Sequence, residues 1–215
     1  MLVNMERAAG PAARGWLDLA AIDGPVTDLR PDYAAWRDAY QAFGAKPKRT
    51  RPSVEALMRR VEAGLPRIDR LTDIYNAMSV KHLLPIGGED LGEYRGPARL
   101  VRAAGGEPFD TIREGQPVTE YPEPGEVVWR DDAGVTCRCW NWRQCVRTRI
   151  TSATVSAVFI LDGLAALGDS GLTTAGQDLA AQPTMLHPGA RLSGRLIGAG
   201  PAATRGEPDA RADGS

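Results

Sequence analysis

Hydrophobic positions in the first third of the chain recur with a helical period. Between residues 32 and 43 the aromatic side chains fall at steps of three and four, so they share one helix face: Tyr33, Trp36, Tyr40 and Phe43. A second apolar stripe covers residues 54–63, and a third covers residues 69–79. We therefore predict three helices, the first of which ends at Gly44.

The pattern changes to that of β-strands after about residue 97. Short apolar or alternating segments predict strands over residues 99–103, 126–130, 135–142, 154–161 and 190–197. Asp131-Asp-Ala-Gly134 is typical of the hairpin turn that would join the second of these to the third. Residues 171–185 are weakly helical. Helices that precede the strands, rather than alternate with them, predict an α+β fold.

Composition divides the 215 residues into three parts. Residues 1–30 are rich in Ala, Gly and Pro without a sustained period, and we expect a poorly ordered leader. Residues 201–215 combine Pro, Ala and Gly with charged residues, and we expect a disordered tail. The part between them, residues 31–200, is long enough for a single domain whose core needs no disulfide or metal.

Charge and hydropathy narrow the function classes. The chain has 26 Lys and Arg against 27 Asp and Glu, so nucleic-acid binding would have to rest on a local basic patch. The sequence has no run of about 18 apolar residues, so no membrane span is predicted. Residues 1–20 lack the apolar centre of a signal peptide, so we expect a cytoplasmic protein. Gly87-Gly88 is too short for a phosphate-binding fingerprint, and we expect no cofactor.

The stretch CRCWNWRQC contains every cysteine of the chain: Cys137, Cys139 and Cys145. Tetrahedral zinc needs four ligands, and neither His82 nor His187 has the spacing to complete a set, so no metal site is predicted. In a regular strand the first two cysteines share one face and pack into the core. A reactive thiol stays open as an alternative, because Arg138 and Arg143 would lower a thiol pKa.

Two groups of side chains suggest contact with RNA. Arginines and tryptophans on the opposite face of that strand would pair with phosphates and stack on bases. They would equally cover a helix as ordinary packing. The loop before the second helix is cationic and suited to phosphate contact. The RNA-binding candidates are Lys46, Lys48, Arg49, Arg51, Arg138, Trp140, Trp142 and Arg147.

Polar residues recur along the third helix at steps of three. Asp73, Asn76 and Ser79 therefore lie near one helix face. They would either point into a ligand pocket or bridge neighbouring loops, and both interpretations remain open.

Several spaced motifs resemble one known family. Residues 71–90, LTDIYNAMSVKHLLPIGGED, look like a segment of the B3/B4 domain of the phenylalanyl-tRNA synthetase beta subunit, in which an Asp-x-x-Asn helix precedes a Pro-containing loop that ends in Asp. The matching positions are Asp73, Asn76, Pro85 and Asp90. EVVWRDDAGV, residues 126–135, resembles the family's strand, paired acids and return strand. Residues 52–57 and 140–144 look more like freestanding relatives of that domain, and the resemblance covers about residues 32–200.

The resemblance implies an α+β domain built around a β-sandwich of unusual topology, with a background in tRNA. In the synthetase this domain hydrolyses tyrosine mischarged onto the phenylalanine tRNA, but this chain is too short to be a complete synthetase. The family's pocket histidine falls on Gly87, and its Gly-Gly-Glu falls on Arg143, Gln144 and Cys145. The ligand-pocket candidates are Asp73, Asn76, Ser79, Gly87, Gly88, Asn141 and Arg143.

Three functions follow as hypotheses. The first is a freestanding domain that binds RNA, with tRNA or aminoacyl-tRNA as the expected partner. The alternative is a trans-acting hydrolase that deacylates mischarged aminoacyl-tRNA. In that case Asn76, Asn141 and Arg143 would supply hydrogen-bond donors, and Asp73 would orient a neighbour or the substrate's α-amino group. A second alternative is an amino-acid-binding sensor.

Overall fold

A computed structural model describes residues 2–6, 31–46, 49–186 and 189–197. Its helices are α1 (Pro31–Ala42), α2 (Ser53–Met58), α3 (Arg70–His82) and α4 (Gly168–Leu186). Its strands in chain order are β1 (Leu2–Glu6), β2 (Ile86–Asp90), β3 (Arg99–Arg102), β4 (Phe109–Arg113), β5 (Gln116–Glu120), β6 (Val127–Arg130), β7 (Val135–Arg138), β8 (Arg143–Gln144), β9 (Ser156–Leu161) and β10 (Arg191–Arg195). This mixture of helices and antiparallel sheets confirms the predicted α+β class.

The strands form two four-stranded sheets and one separate hairpin. The first sheet has the order β10-β1-β9-β2, and the second has the order β3-β6-β7-β8. The hairpin consists of β4 and β5, and every strand pair is antiparallel. Strand β9 is apolar because it lies inside the first sheet, paired on both sides.

Local signals explain where the helices begin and end. The carboxylate of Asp69 accepts a hydrogen bond from the Thr72 backbone N–H at 2.9 Å, which caps the start of α3. Leu83 closes that helix in the left-handed conformation, at φ 54°. Helix α2 ends at Met58, earlier than predicted, because the N–H groups of Arg60 and Val61 bond three positions back and tighten the chain into turns.

The largest core cluster lies between the first sheet and helices α3 and α4. Tyr75 and Met78 of α3 pack against Phe159 and Leu161 of β9, and α4 adds Leu179. A separate cluster joins Trp36 and Tyr40 of α1 to residues that follow β7. Helix α1 is thus anchored at the end of the second sheet.

Several differences from the sequence-based expectations concern strands. Residues 2–6, assigned to the leader, form β1 between β9 and β10. Strand β2 and the hairpin of β4 and β5 were not predicted. The strand expected to continue to Trp142 ends at Arg138, so the side-chain alternation assumed for residues 139–142 was wrong.

Some expectations concern residues that the structure does not describe. The rest of the leader, residues 7–30, and the tail, residues 201–215, lie outside the described residues, as do Lys48 and His187. None of the described helices is both long enough and apolar enough to cross a membrane.

Candidate functional site

A cavity of about 140 Å³ lies where α3, the ends of both sheets and the turn after β7 meet. Four aromatic side chains line it, and we call it the aromatic cavity: Tyr75, Trp129, Trp140 and Trp142. Its polar lining consists of Ser53, Asn76, Glu89, Asn141, Arg143, Gln144 and Asp162. The cavity is smaller than the range of about 300–1,000 Å³ typical of drug-sized ligands, so it suits one small chemical group.

A turn over residues 139–142 brings one wall into place. Cys139 and Trp140 both adopt left-handed backbone conformations, with φ 45° and 66°. Consecutive non-glycine residues there cost about 1–3 kcal/mol each, and such strain persists only where the surroundings enforce it. Here the Cys139 N–H donates to the Glu126 carboxylate at 2.9 Å, and the Trp140 N–H donates to the Val127 carbonyl at 2.6 Å. The result is that Trp140 and Trp142 both face the cavity.

Helix α1 supports this turn from behind. The Trp36 and Trp140 rings meet edge to face, with 5.1 Å between their centroids. The buried Tyr40 hydroxyl donates to the Asn141 side-chain oxygen at 2.8 Å. That bond orients the Asn141 amide nitrogen toward the Asp162 carboxylate, 3.4 Å away. The periodic aromatic face seen in the sequence therefore fixes an amide inside the cavity.

Asp162 follows β9 directly and points into the cavity. Burial raises the pKa of Asp162 to about 6, while Trp140, Asn141 and Trp129 oppose that rise by favouring the charged form. The indole nitrogens of Trp129 and Trp140 are themselves buried without a hydrogen-bond partner. The carboxylate is thus surrounded by neutral donors, of which only Asn141 comes within hydrogen-bond distance.

Glu89 is a second acid in the lining, on β2. It is 1% exposed and accepts a short hydrogen bond from the Tyr94 hydroxyl. Burial raises its pKa, an effect that hydrogen bonding to Tyr94 and neighbouring side chains reduces. Gln144 borders it and donates to the Gly88 carbonyl at 3.0 Å. Glu89 is therefore an internally bonded acid, more easily protonated than an ordinary glutamate.

The structure brings only part of the predicted pocket set together. Four of the candidates line the cavity: Asn76, Gly87, Asn141 and Arg143. Asp73 instead accepts from the Ile68 backbone N–H at 3.0 Å, near the start of α3. The Ser79 hydroxyl donates to the Leu84 carbonyl at 2.6 Å, within the core.

Gly88 lies behind the cavity wall. A Cβ atom placed on it would come within 2.7 Å of the Tyr75 ring, so glycine is needed there for close packing. The two carboxylates that line the cavity, Glu89 and Asp162, were missed by sequence reasoning. For Asp162 a signal exists, since it is the acid that ends a buried apolar strand.

Most of the predicted RNA-binding arginines are used inside the protein. Arg138 is held by Glu126 at 2.7 Å and by Glu120 at 3.2 Å, and its side chain is 13% exposed. Arg143 also pairs with Glu120, and its guanidinium lies over the Trp142 ring, 4.7 Å from the centroid. We call these four charged residues the arginine network: Glu120, Glu126, Arg138 and Arg143.

The other basic candidates divide in two. Arg147 forms a bidentate pair with the buried Asp131, at 2.9 Å for both bonds. Arg51 lies 3.5 Å from Glu55. Lys46 and Arg49 are exposed, on the loop that leads into α2. That loop ends at Ser53, a residue of the cavity lining, so its cations lie on the chain immediately before the cavity wall.

All three cysteines are free and buried. Burial raises the pKa of every one of these thiols, to about 12 for Cys139. A thiol of raised pKa stays protonated and is a poor nucleophile, which disfavours the reactive-thiol alternative. Within the described residues, no cluster of three or more metal-ligating side chains is present.

Comparison with known families agrees with this architecture. The family model of the B3/4 domain matches residues 35–168, which is more than half of the chain, so the protein belongs to the B3/4 domain family. The family relates the chain to a domain of tRNA synthetases. A search of curated proteins finds no match.

Proposed function

We propose that this protein binds the aminoacylated end of tRNA, with the aminoacyl group in the aromatic cavity and the phosphates near the loop before α2. The aromatic cavity is the observation that carries the proposal. A cavity of about 150 Å³ accommodates a group the size of benzene, whereas a nucleoside needs more room. At about 140 Å³, the cavity suits one amino-acid group.

The basic loop supplies the second part of the argument. Lys46 and Arg49 are exposed, and the chain that carries them continues into Ser53 of the cavity lining. Phosphates next to the aminoacylated ribose would lie near these cations, which precede the cavity lining by a few residues along the chain. Two phosphate contacts give a salt dependence of about 0.7 per contact on logarithmic scales for single-stranded RNA, so tRNA binding should be weak and salt-sensitive.

The comparison of charged and uncharged tRNA tests the proposal. A panel of tRNAs, each carrying one amino acid, is titrated with the protein at low salt and followed by fluorescence anisotropy. We expect at least one charged tRNA to bind about tenfold more tightly than its uncharged form. Equal binding of every charged and uncharged pair, or no binding at all, would contradict the proposal.

A matched pair of variants locates the RNA contact. Lys46→Ala combined with Arg49→Ala should weaken the binding of charged and uncharged tRNA by a similar factor, about three- to tenfold at low salt, because phosphate contacts do not sense the aminoacyl group. Arg102→Ala removes an exposed cation on β3 and serves as the control. An equal effect of both changes would argue against a specific basic loop.

The same panel tests the trans-acting hydrolase, and a titration with free amino acids tests the sensor. Release of the amino acid from a charged tRNA, faster than without protein, would favour the trans-acting hydrolase. Binding of free amino acids without any binding of tRNA would favour the sensor.

A further inference from the structure

We propose that Asp162 is the receptor for the ligand's ammonium group, so that the aromatic cavity selects groups with a free primary amine. This inference rests on the proposed function and deepens it. Asp162 reaches the cavity from the end of β9, and the only hydrogen bond of its carboxylate in the described structure is the 3.4 Å contact with Asn141. A carboxylate accepts about four hydrogen bonds, so acceptor capacity remains.

The charge of Asp162 has no counter-ion among the described side chains. The nearest cation of the lining, Arg143, is bound to Glu120. The surrounding Trp129, Trp140 and Asn141 are neutral donors that favour the ionised form, and the positive charge of the N-terminus acts in the same direction. A carboxylate that is largely removed from water and has no ion pair with a side chain is costly, and an ammonium ligand would reduce that cost.

The walls of the cavity fit the same ligand. Tyr75 and the three tryptophans present aromatic surface around the carboxylate. Aromatic faces attract alkylammonium groups, an interaction that strengthens when the cation is desolvated. Glu89 adds a second acid to the lining, but its carboxyl group is engaged by the Tyr94 hydroxyl. Asp162 is therefore the acceptor available to a ligand.

This assignment changes the role of one sequence candidate. Asp73 was expected to orient a neighbour or the substrate's α-amino group, but it binds the backbone at the start of α3 and does not line the cavity. Asp162 takes that place in the inference, held from behind by the chain from Tyr40 through Asn141.

The decisive comparison changes the ligand and leaves the protein intact. A charged tRNA that binds is compared with the same tRNA after N-acetylation of its amino acid, which replaces the ammonium by a neutral amide. We expect about a 10- to 100-fold loss of affinity, the range for a hydrogen bond between charged groups. Equal affinities, with both well above that of uncharged tRNA, would overturn the ammonium assignment and leave the proposed function standing.

A variant assigns the effect to one side chain. Asp162→Asn should weaken the binding of the free-amine tRNA to the level of the N-acetylated one, and should change the N-acetylated one little. Asp169→Asn removes an exposed carboxylate at the start of α4 and is the control. Retention of full amine selectivity in Asp162→Asn would overturn the inference. If neither form of tRNA binds to the wild type better than uncharged tRNA, it is the proposed function that fails.

The pH dependence gives an independent measure. Binding of the free-amine tRNA should weaken as pH falls through about 6, because protonation of Asp162 removes the anion that the ammonium needs. The charged or titratable side chains that face this region are Tyr40 of α1, Tyr75 of α3, Cys137 of β7, Glu89 of β2 and Arg143 of β8, and the charge of the N-terminus also acts on Asp162. Glu89 also has a raised pKa, so the loss must disappear in Asp162→Asn to be attributed to Asp162. Persistence of the loss in that variant would count against the assignment.

Discussion

The arginine network and the aromatic cavity share Arg143, but they treat carboxylates removed from solvent in opposite ways. Burial by itself would raise the pKa of Glu126, but the hydrogen bonds and charge of Arg138 hold it below its ordinary value. In the cavity, burial raises the pKa of Asp162, and the neutral donors around it and the positive charge of the N-terminus oppose that rise only in part. The network pairs its charges within the chain, whereas Asp162 forms no ion pair with a described side chain.

Structural charges differ from candidate functional ones in that an ion pair within the chain matches them. Arg138 was predicted to contact RNA, but its charge is matched by Glu120 and Glu126. A carboxyl pKa that burial raises, without an ion pair to oppose it, points to a functional site more directly than a pKa that an ion pair within the chain lowers.

The largest effect is expected from breaking the network. Glu126→Gln would leave the largely buried Arg138 guanidinium with Glu120 as its one remaining carboxylate partner and weaken the acceptor of the Cys139 N–H. We expect a loss of about 3–5 kcal/mol in the free energy of unfolding, measured by urea denaturation at pH 7. Glu123→Gln, an exposed neighbour, is the control. A change of less than about 1 kcal/mol would show that the network is not the structural unit described.

Removal of the carboxylate charge from the cavity should instead raise the free energy of unfolding. Asp162 has a folded-state pKa of about 6, above its ordinary value of 3.8, so the free energy of unfolding falls as pH rises between those values. Asp162→Asn should abolish that fall and raise the free energy of unfolding at pH 7 by about 3 kcal/mol, at about 1.4 kcal/mol per pKa unit. Urea titrations at pH 4, 5, 6 and 7 measure it, and a destabilised variant at pH 7 would contradict it.

The link between the helix and the cavity is testable at Tyr40. Tyr40→Phe removes the hydroxyl that orients Asn141 and leaves the Asn141 oxygen without this donor. We expect a loss of about 1–2 kcal/mol in the free energy of unfolding. Binding of charged tRNA should also weaken by a few-fold, since Asn141 would no longer be fixed toward Asp162. Trp36 remains in place as the packing contact, so a complete loss of folding would be inconsistent with this account.

The smallest effect is expected where an ion pair is exposed. Arg99 and Asp132 are 2.7 Å apart, but their side chains are 43% and 57% exposed. Arg99→Ala should change the free energy of unfolding by less than about 0.5 kcal/mol, because solvent screens such pairs. A loss of unfolding free energy as large as that of Glu126→Gln would show that buried and exposed ion pairs contribute equally to stability.

Local pattern accounted for the positions of the helices and for the turn between β6 and β7, but not for the hairpin of β4 and β5. The aromatic period of α1, the Asp69 cap of α3 and the Asp131–Gly134 turn are properties of neighbouring residues. The turn at Cys139 and Trp140 escaped prediction, because it contains no glycine, asparagine or aspartate at its left-handed positions. There the surrounding hydrogen bonds override the local preference.

The sequence by itself determined the α+β class and the membership of the B3/4 family, since both depend on periodicity and on motifs of adjacent residues. Only the tertiary structure decided which charges are matched. Tyr40 meets Asn141 across 101 positions, and Arg143 meets Glu120 across 23. Whether a carboxylate is neutralised depends on groups brought close in space, and hydrophobic period carries no information about those encounters. For that reason Asp162 emerged as a candidate only when the fold placed it among neutral donors.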